Sequence, residues 1–363
     1  MDLSVMFFGT DSGPDDAGPG AAAAKYDDIL ALARAADGLG FTAVWTPERH
    51  FQQFGRVFPA PAVLGAALAW VTKRLQIRAG SAVLPLKHPL RTVEEWSVVD
   101  NLSRGRVGVS VATGWHSTDF VLAPENYADR RAIAMAQIDL IRRLWAGQAV
   151  EFPDGLGEPV AVRPGPTPFS PALPLWLTSS GSHRTWETAG QLRTNILAAA
   201  PGQTREELKE KIELYRAAFA AAPAQLGAPE RGTVTLMVHA FVGDDMADVR
   251  RRVCEPLKDY FKAYVRQTTD NKGSDGTAAA PMSDQQQDVM AEFAFERYLA
   301  WGSLLGPAER VEQALGDLAD LGCDEVACFV DFGLEHGDVV KSLHRLAEIH
   351  HRRQAHHGTG ENH

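Results

Sequence analysis

A chain of 363 residues with 45% hydrophobic content is long enough for one large α/β domain or two smaller ones, and its composition excludes a disordered protein. A formal net charge of −10 argues against nonspecific binding to nucleic acid or to an anionic membrane, because both partners need a basic footprint. No apolar run reaches the roughly 18 residues of a membrane span, and the opening MDLSVMFFGT lacks the regions of a signal peptide, so a soluble cytoplasmic protein is expected. In chain order, a strand over 3–8 is followed by a helix over 25–39, with Tyr26, Ile29, Leu30 and Ala33 on one face. A strand over 42–46, a helix over 60–71, a strand over 75–84, a helix over 92–102 and a strand over 106–111 come next. After a helix over 128–145, a Gly/Pro-rich excursion over 147–174 reads as a hairpin or loop insertion. Strands over 175–178, 195–198, 234–242 and 325–331 complete the series.

Eight strands alternating with helices predict a (β/α)8 barrel, since each right-handed crossover returns the chain parallel to its predecessor; a doubly wound sheet is the alternative. Ala36-Asp37-Gly38-Leu39-Gly40 and Ala319-Asp320-Leu321-Gly322 echo one another, each glycine suited to end a helix before a strand. The expected organisation is a single domain over 1–350, with insertions at about 147–174 and 254–300 and a disordered tail over 351–363. Within the second insertion, the polar stretch 268–287 reads as a mobile loop or lid. Cys254, Cys323 and Cys328 have no metal-ligand pattern and are expected to be unpaired thiols.

Chemistry in such a barrel sits at the C-terminal ends of the strands. Strand two leads into Glu48-Arg49-His50, strand three towards Lys87-His88, and strand four into Thr113-Gly114-Trp115-His116. Strand five runs into Ser179-Ser180-Gly181-Ser182 just before a helix. That turn is either a cradle for a phosphate dianion, built from backbone N–H groups and a helix N-terminus, or an ordinary capped turn. Three histidines, one arginine and one glutamate are thereby predicted to share one mouth. A metal site is the weaker reading, because His50, His88 and His116 come from separate loops with no carboxylate at ligand spacing.

The chain resembles the bacterial luciferase-like monooxygenases over nearly its whole length. The resemblance is carried by the first strand, AVWTPERHFQQFG, AGSAVLPLKHPLR, LSRGRVGVSVATGWHSTDF, the SSGS turn and LGCDEVACFVDF, in that order. ERHF, LPLKHPLR and GWHSTDF with ENYADRR are similar to the subgroup found in nonribosomal peptide and polyketide biosynthesis. The resemblance implies a luciferase-like TIM barrel that binds reduced FMN, which reacts with O₂ to give a C4a-hydroperoxide and oxygenates a substrate. N-hydroxylation of an amine and Baeyer–Villiger insertion beside a ketone are both open, on a free or carrier-bound substrate.

By position, Ser180, Gly181 and Ser182 would hold the phosphate with Ser179 beside them. Gly80 and Ser81 would form a cis peptide against the flavin ring, and Thr113 and Gly114 would lie along it. Two departures from luciferase stand out: Arg49 replaces its catalytic histidine, with His50 adjacent, and Thr113 replaces an arginine that contacts phosphate.

His50 is the first candidate for proton transfer, its ordinary pKa of about 6.5 suiting that work, and His116 is the second. Arg49 would stabilise an anion or orient a carbonyl, or else pair with Glu48 or Glu94. Glu48, His88 and Trp115 are assigned to the substrate, and Trp115, Phe51 and Phe54 to the exclusion of water. The absence of a GxGxxG fingerprint implies a separate flavin reductase as partner. The resemblance also implies a homodimer, with the helices over 60–71 and 92–102 as interface elements. A deazaflavin F420-dependent oxidoreductase of the same superfamily and a non-catalytic flavin-binding barrel are the alternatives.

Overall fold

In the computed structural model, which describes residues 1–9, 20–51, 55–200, 202–270 and 283–358, parallel strands close into a ring. Its eight members are β1 (Asp2–Met6), β2 (Ala43–Thr46), β3 (Gln76–Val83), β4 (Val107–Ala112), β7 (Leu175–Ser179), β8 (Asn195–Ala199), β9 (Val234–Val242) and β11 (Glu325–Phe329). β1 pairs with both β2 and β11, and β9 pairs with both β8 and β11, so among the described residues the ring has no open edge. Closure excludes the doubly wound alternative. The excursion after strand four is an antiparallel hairpin of β5 (Val150–Pro153) and β6 (Pro159–Val162).

The strands are buried on both faces, as a parallel barrel wrapped in helices requires; every residue of β9 and of β11 is buried. Alternate side chains point in and out. Val5, Val44, Ile77 and Val109 join the large core between strands and helices, while Met6, Trp45, Trp176, Leu197, Met237 and Phe329 fill the barrel itself. Towards the N-terminal ends of the strands, an ion pair sits inside the ring. Arg78 Nη1 donates to Glu325 Oε1 and Oε2 at 2.9 and 2.8 Å, and Trp45 Nε1 donates to Oε1 at 3.3 Å. Ser4 hydrogen-bonds the same carboxylate, and the Arg78 guanidinium lies 4.6 Å from the Trp176 ring and 4.9 Å from that of Trp45. This plug fills the lower barrel and leaves the C-terminal mouth for a cavity.

The ring is wrapped by α1 (Ala21–Leu39), α2 (Pro61–Val71), α3 (Pro89–Ser103), α4 (Arg130–Trp145), α5 (His183–Gln191), α6 (Arg205–Ala221), α7 (Met246–Asp270), α8 (Asp284–Ala300), α9 (Ala308–Asp320) and α10 (His336–Gly358). α5 follows the Ser/Gly turn and is held by close packing on α6. A Cβ on Gly190 would stand 2.7 Å from both the Ala218 Cβ and the Tyr215 carbonyl oxygen. Only glycine permits that approach, so the orientation of α5 follows from its contact with α6.

Three expectations need correction. The second insertion is largely helical. Of the predicted lid over 268–287, residues 271–282 lie outside the described residues, 268–270 end α7, and 284–287 begin α8, whose start is fixed by a capping box between Ser283 and Gln286. A ninth parallel strand, β10 (Leu304–Gly306), pairs with the upper part of β9; at three residues it is too short to show periodicity. The tail does not fray at 351. α10 continues to Gly358, with Arg353 Nη1 donating to the Glu312 carbonyl at 3.1 Å and Gln354 Nε2 2.9 Å from His350 Nε2; residues 359–363 lie outside the described residues. Cys254, Cys323 and Cys328 are free thiols, and no described helix is long and apolar enough to cross a membrane.

Candidate active site

The C-terminal ends of the strands open on a cavity of about 640 Å³, within the range of small-molecule sites. β2 delivers Glu48 and Arg49 to its wall. Glu48 is fully committed: Oε2 accepts from the Val83 amide at 2.8 Å, and Oε1 lies 3.1 Å from His50 Nε2 and 3.3 Å from Lys87 Nζ. Arg49 lies over the Phe8 ring, with its guanidinium carbon 4.3 Å from the centroid, and lines the cavity. Burial pushes its pKa below the ordinary arginine value, opposed by the fields of Tyr260, Asp119 and Tyr264, and guanidinium remains charged throughout. Neither expected acid partner serves it, since Glu94 pairs with Arg91 at 3.0 Å.

Among the histidines the predicted shared mouth is dispersed. His50 does not line the cavity; it sits behind Glu48, which does. His88 is exposed on the outside. After β3 a short turn over Leu84–Leu86 carries the chain to the start of α3, where His88 Nδ1 accepts from the Leu90 amide at 3.3 Å and its ring lies 5.1 Å from Phe152. A substrate-binding role for His88 is therefore withdrawn. His116 is buried and heads the turn Ser117–Leu122, its Nδ1 accepting from the Thr118 amide at 3.4 Å, and it too is absent from the cavity wall. Phe51 is 54% exposed rather than a cover, and Phe54 lies outside the described residues.

The small residues do meet at the cavity. Gly80, Ser81, Thr113, Gly114, Ser179 and Ser180 line it, and the peptide between Gly80 and Ser81 is cis. A Cβ on Gly80 would reach within 3.1 Å of Trp45 and one on Gly114 within 2.7 Å of Phe120, so backbone itself forms these surfaces. Ser81 and Ser110 both hydrogen-bond the Thr178 hydroxyl, the latter at 2.6 Å. Trp115 lines the rim, its ring 5.6 Å from that of His116.

Beside this surface, Ser179 Oγ accepts from the Gly181 amide at 3.2 Å. Gly181 has φ +131° with open space where a Cβ would stand, and Gly181 and Ser182 continue the turn just beyond the cavity lining into α5. The first amides of a helix have no partner within it, and the Ser182 side chain does not cap them. A turn of small residues ending in uncapped amides suits a phosphate. Planar backbone surfaces beside it suit an aromatic ring system, so the residues present fit a flavin mononucleotide.

Sequence reasoning missed the roof. Tyr260, Phe261 and Tyr264 from α7 and Met290, Ala291 and Ala294 from α8 line the cavity. α8 is fastened to the barrel where the Tyr298 hydroxyl accepts from the His239 amide at 2.7 Å and lies 3.1 Å from His239 Nδ1. Burial among Tyr260, Tyr298 and Phe329 pushes the His239 pKa down to about 3, so this strut stays neutral. Asp119, buried on the turn after β4, also faces the cavity; burial raises its pKa, with His116, His50 and Arg49 pulling it down and Glu48 adding to the rise.

Comparison with known proteins identifies the family and the fold. Residues 1–325 match the luciferase-like monooxygenase family. The oxygenase component of a flavin-dependent trigonelline monooxygenase from Acinetobacter baylyi is 26% identical over 332 residues, 88% of each chain. Monooxygenase RslO1 from Streptomyces bottropensis superposes with a TM-score of 0.78 at 22% identity, covering 96% of this chain and 98% of that one. The oxygenating constituent of 3,6-diketocamphane monooxygenase from Pseudomonas putida, a type II Baeyer–Villiger enzyme solved with FMN, superposes with a TM-score of 0.73 at 15% identity, covering 96% and 97%.

Proposed function

The chain belongs to the luciferase-like monooxygenases, a flavin-dependent family, and from that premise we propose that it is the cytoplasmic oxygenase of a two-component system. In this reading it takes reduced FMN from a separate reductase and oxygenates a natural-product intermediate, free or carrier-bound, by N-hydroxylation or Baeyer–Villiger insertion. The observation that carries the proposal is the Ser179–Ser182 turn leading into the uncapped N-terminus of α5, at the edge of a cavity lined by Gly80, Ser81 and Gly114. The relative described as an oxygenase component supports the separate reductase, and the FMN complex of a fold neighbour supports the cofactor.

Bound reduced FMN supplies the electrons that activate O₂ for transfer of one oxygen atom. Ser180 and Ser182 would hold its phosphate through backbone N–H groups, and Gly181, whose own amide is taken by Ser179 Oγ and which carries no Cβ, would let the phosphate approach the turn. Gly80, Ser81, Thr113 and Gly114 give its ring system a surface without bulky side chains. Arg49 presents a fixed positive charge to the reacting centre, where it orients a carbonyl or stabilises developing negative charge. Among the described residues His50 reaches the cavity through Glu48, so a proton held at its Nε2 would pass by way of that carboxylate. Phe8, Trp115 and the α7–α8 roof keep water out. Arg49→Met is expected to lower oxygenation about 10²-fold with FMN affinity unchanged, the scale of a lost electrostatic group at a reacting centre; undiminished turnover would make Arg49 structural.

Assembly follows from the surface. Val63 and Trp70 on α2 are 72% and 80% exposed, and Val98 and Leu102 on the adjacent α3 are also exposed. These side chains form the interface of a homodimer. Trp70→Glu is expected to convert the dimer to monomer in analytical ultracentrifugation; an unchanged sedimentation profile would remove this face from the assembly.

Titration with FMN and with F420 tests the cofactor. FMN binding tighter than F420 is the expected result, and the reverse order would point to a deazaflavin oxidoreductase.

A further inference from the structure

Among the described residues, two carboxyl-bearing side chains, Glu48 and Asp119, line the cavity, and their environments differ. Glu48 has the Val83 amide, His50 and Lys87 as partners. Asp119 is 8% exposed and lines the cavity, yet no hydrogen bond from the described residues reaches its buried Oδ1. Its backbone amide is tied to the His116 carbonyl at 3.2 Å, which holds the turn that carries it. The charged and titratable groups whose fields reach it are His116, His50, Arg49 and Glu48. A desolvated carboxyl oxygen without a donor is costly to retain. Because the Asp119 side chain also forms part of the cavity wall, a ligand there can supply the donor that the described residues do not.

We infer that Asp119 is a substrate-binding residue that accepts a polar hydrogen from the substrate, so that the substrate is a protic compound, an amine or an alcohol, rather than a bare ketone. The inference rests on the cavity being the active site proposed above and goes further by naming the class of molecule it takes. A ketone brings only an acceptor, which Arg49 satisfies and which would leave Asp119 facing a second lone pair. An amine or hydroxyl brings the missing donor. Burial also makes this carboxyl a better proton acceptor than an exposed aspartate, which suits holding the hydrogen of a nitrogen that is to be oxygenated. Of the two proposed reactions, Asp119 therefore favours N-hydroxylation.

The test uses three probes of one skeleton, benzylamine, benzyl alcohol and benzyl methyl ether, titrated calorimetrically into the full chain with and without saturating FMN. At least one donor-bearing probe is expected to bind about ten-fold or more tighter than the ether, the scale of a hydrogen bond to a charged group. The amine and alcohol arms distinguish the two sources of the hydrogen. Asp119→Ala is expected to erase the preference. Asp119→Asn, which keeps an acceptor and nearly the same shape, is expected to retain it for the alcohol. Equal binding of all three probes to the natural protein, or a preference that survives in Asp119→Ala, would overturn the inference. A chain that shows the preference but binds no FMN would refute the flavin reading while supporting this one.

Discussion

Gly181→Asp is expected to weaken FMN binding about a thousand-fold while riboflavin loses less than about ten-fold. Two unit charges about 4 Å apart near a protein surface repel by roughly 4 kcal/mol, which is about three orders of magnitude in affinity. Open space at the Gly181 Cβ position allows the new carboxylate to stand directly in front of the turn. The substitution also places a side chain on φ +131°, a region rarely adopted by non-glycine residues. That strain acts on both ligands alike, so the ratio of the two losses isolates the phosphate. Gly181→Ala supplies the strain without the charge and is the control. Parallel loss of FMN and riboflavin would remove the turn from the phosphate site.

The second large effect concerns stability. Arg78→Met would leave the Glu325 carboxylate inside the barrel with Ser4, Trp45 and Thr235 but no cation, and removing one member of a buried pair typically costs about 3–5 kcal/mol. The midpoint of urea unfolding should fall accordingly. Arg78→Met combined with Glu325→Gln should recover most of the loss, because no charge then remains unpaired. A single variant as stable as the natural chain would mean that Glu325 is solvated or compensated in some other way.

The eight barrel strands were legible because each is an apolar run between turn residues, and all eight lie where the pattern puts them. Other features escaped for identifiable reasons. Arg78 and Glu325 sit 247 positions apart, and nothing in either local pattern says that closure of the ring will bring them together. The start of α8 carried a readable signal, the Ser283 to Gln286 capping box, but the polar, small-residue composition of 268–287 outweighed it and the stretch reads as loop.

At the site, backbone features were the most readable: Gly80 and Ser81 in the C-terminal half of β3, and Ser179 and Ser180 at the end of β7, line the cavity. Side-chain direction was not readable. His88 follows strand three yet points outside, and His116 caps a turn while Asp119, three residues later, faces inward. The roof from α7 and α8 was hidden because helices in an insertion announce an apolar face but not what it covers.

The proposed reaction transfers one oxygen atom from O₂ to a substrate at the expense of reduced FMN. Its most direct measurement is mass spectrometry of candidate amines and ketones incubated with the protein, FMN, a flavin reductase and NADH under isotopically heavy dioxygen. The expected result is a product that carries one heavy oxygen atom, formed in equal amount to the O₂ consumed beyond the peroxide released. A product formed without O₂, or one whose added oxygen comes from water, would contradict it.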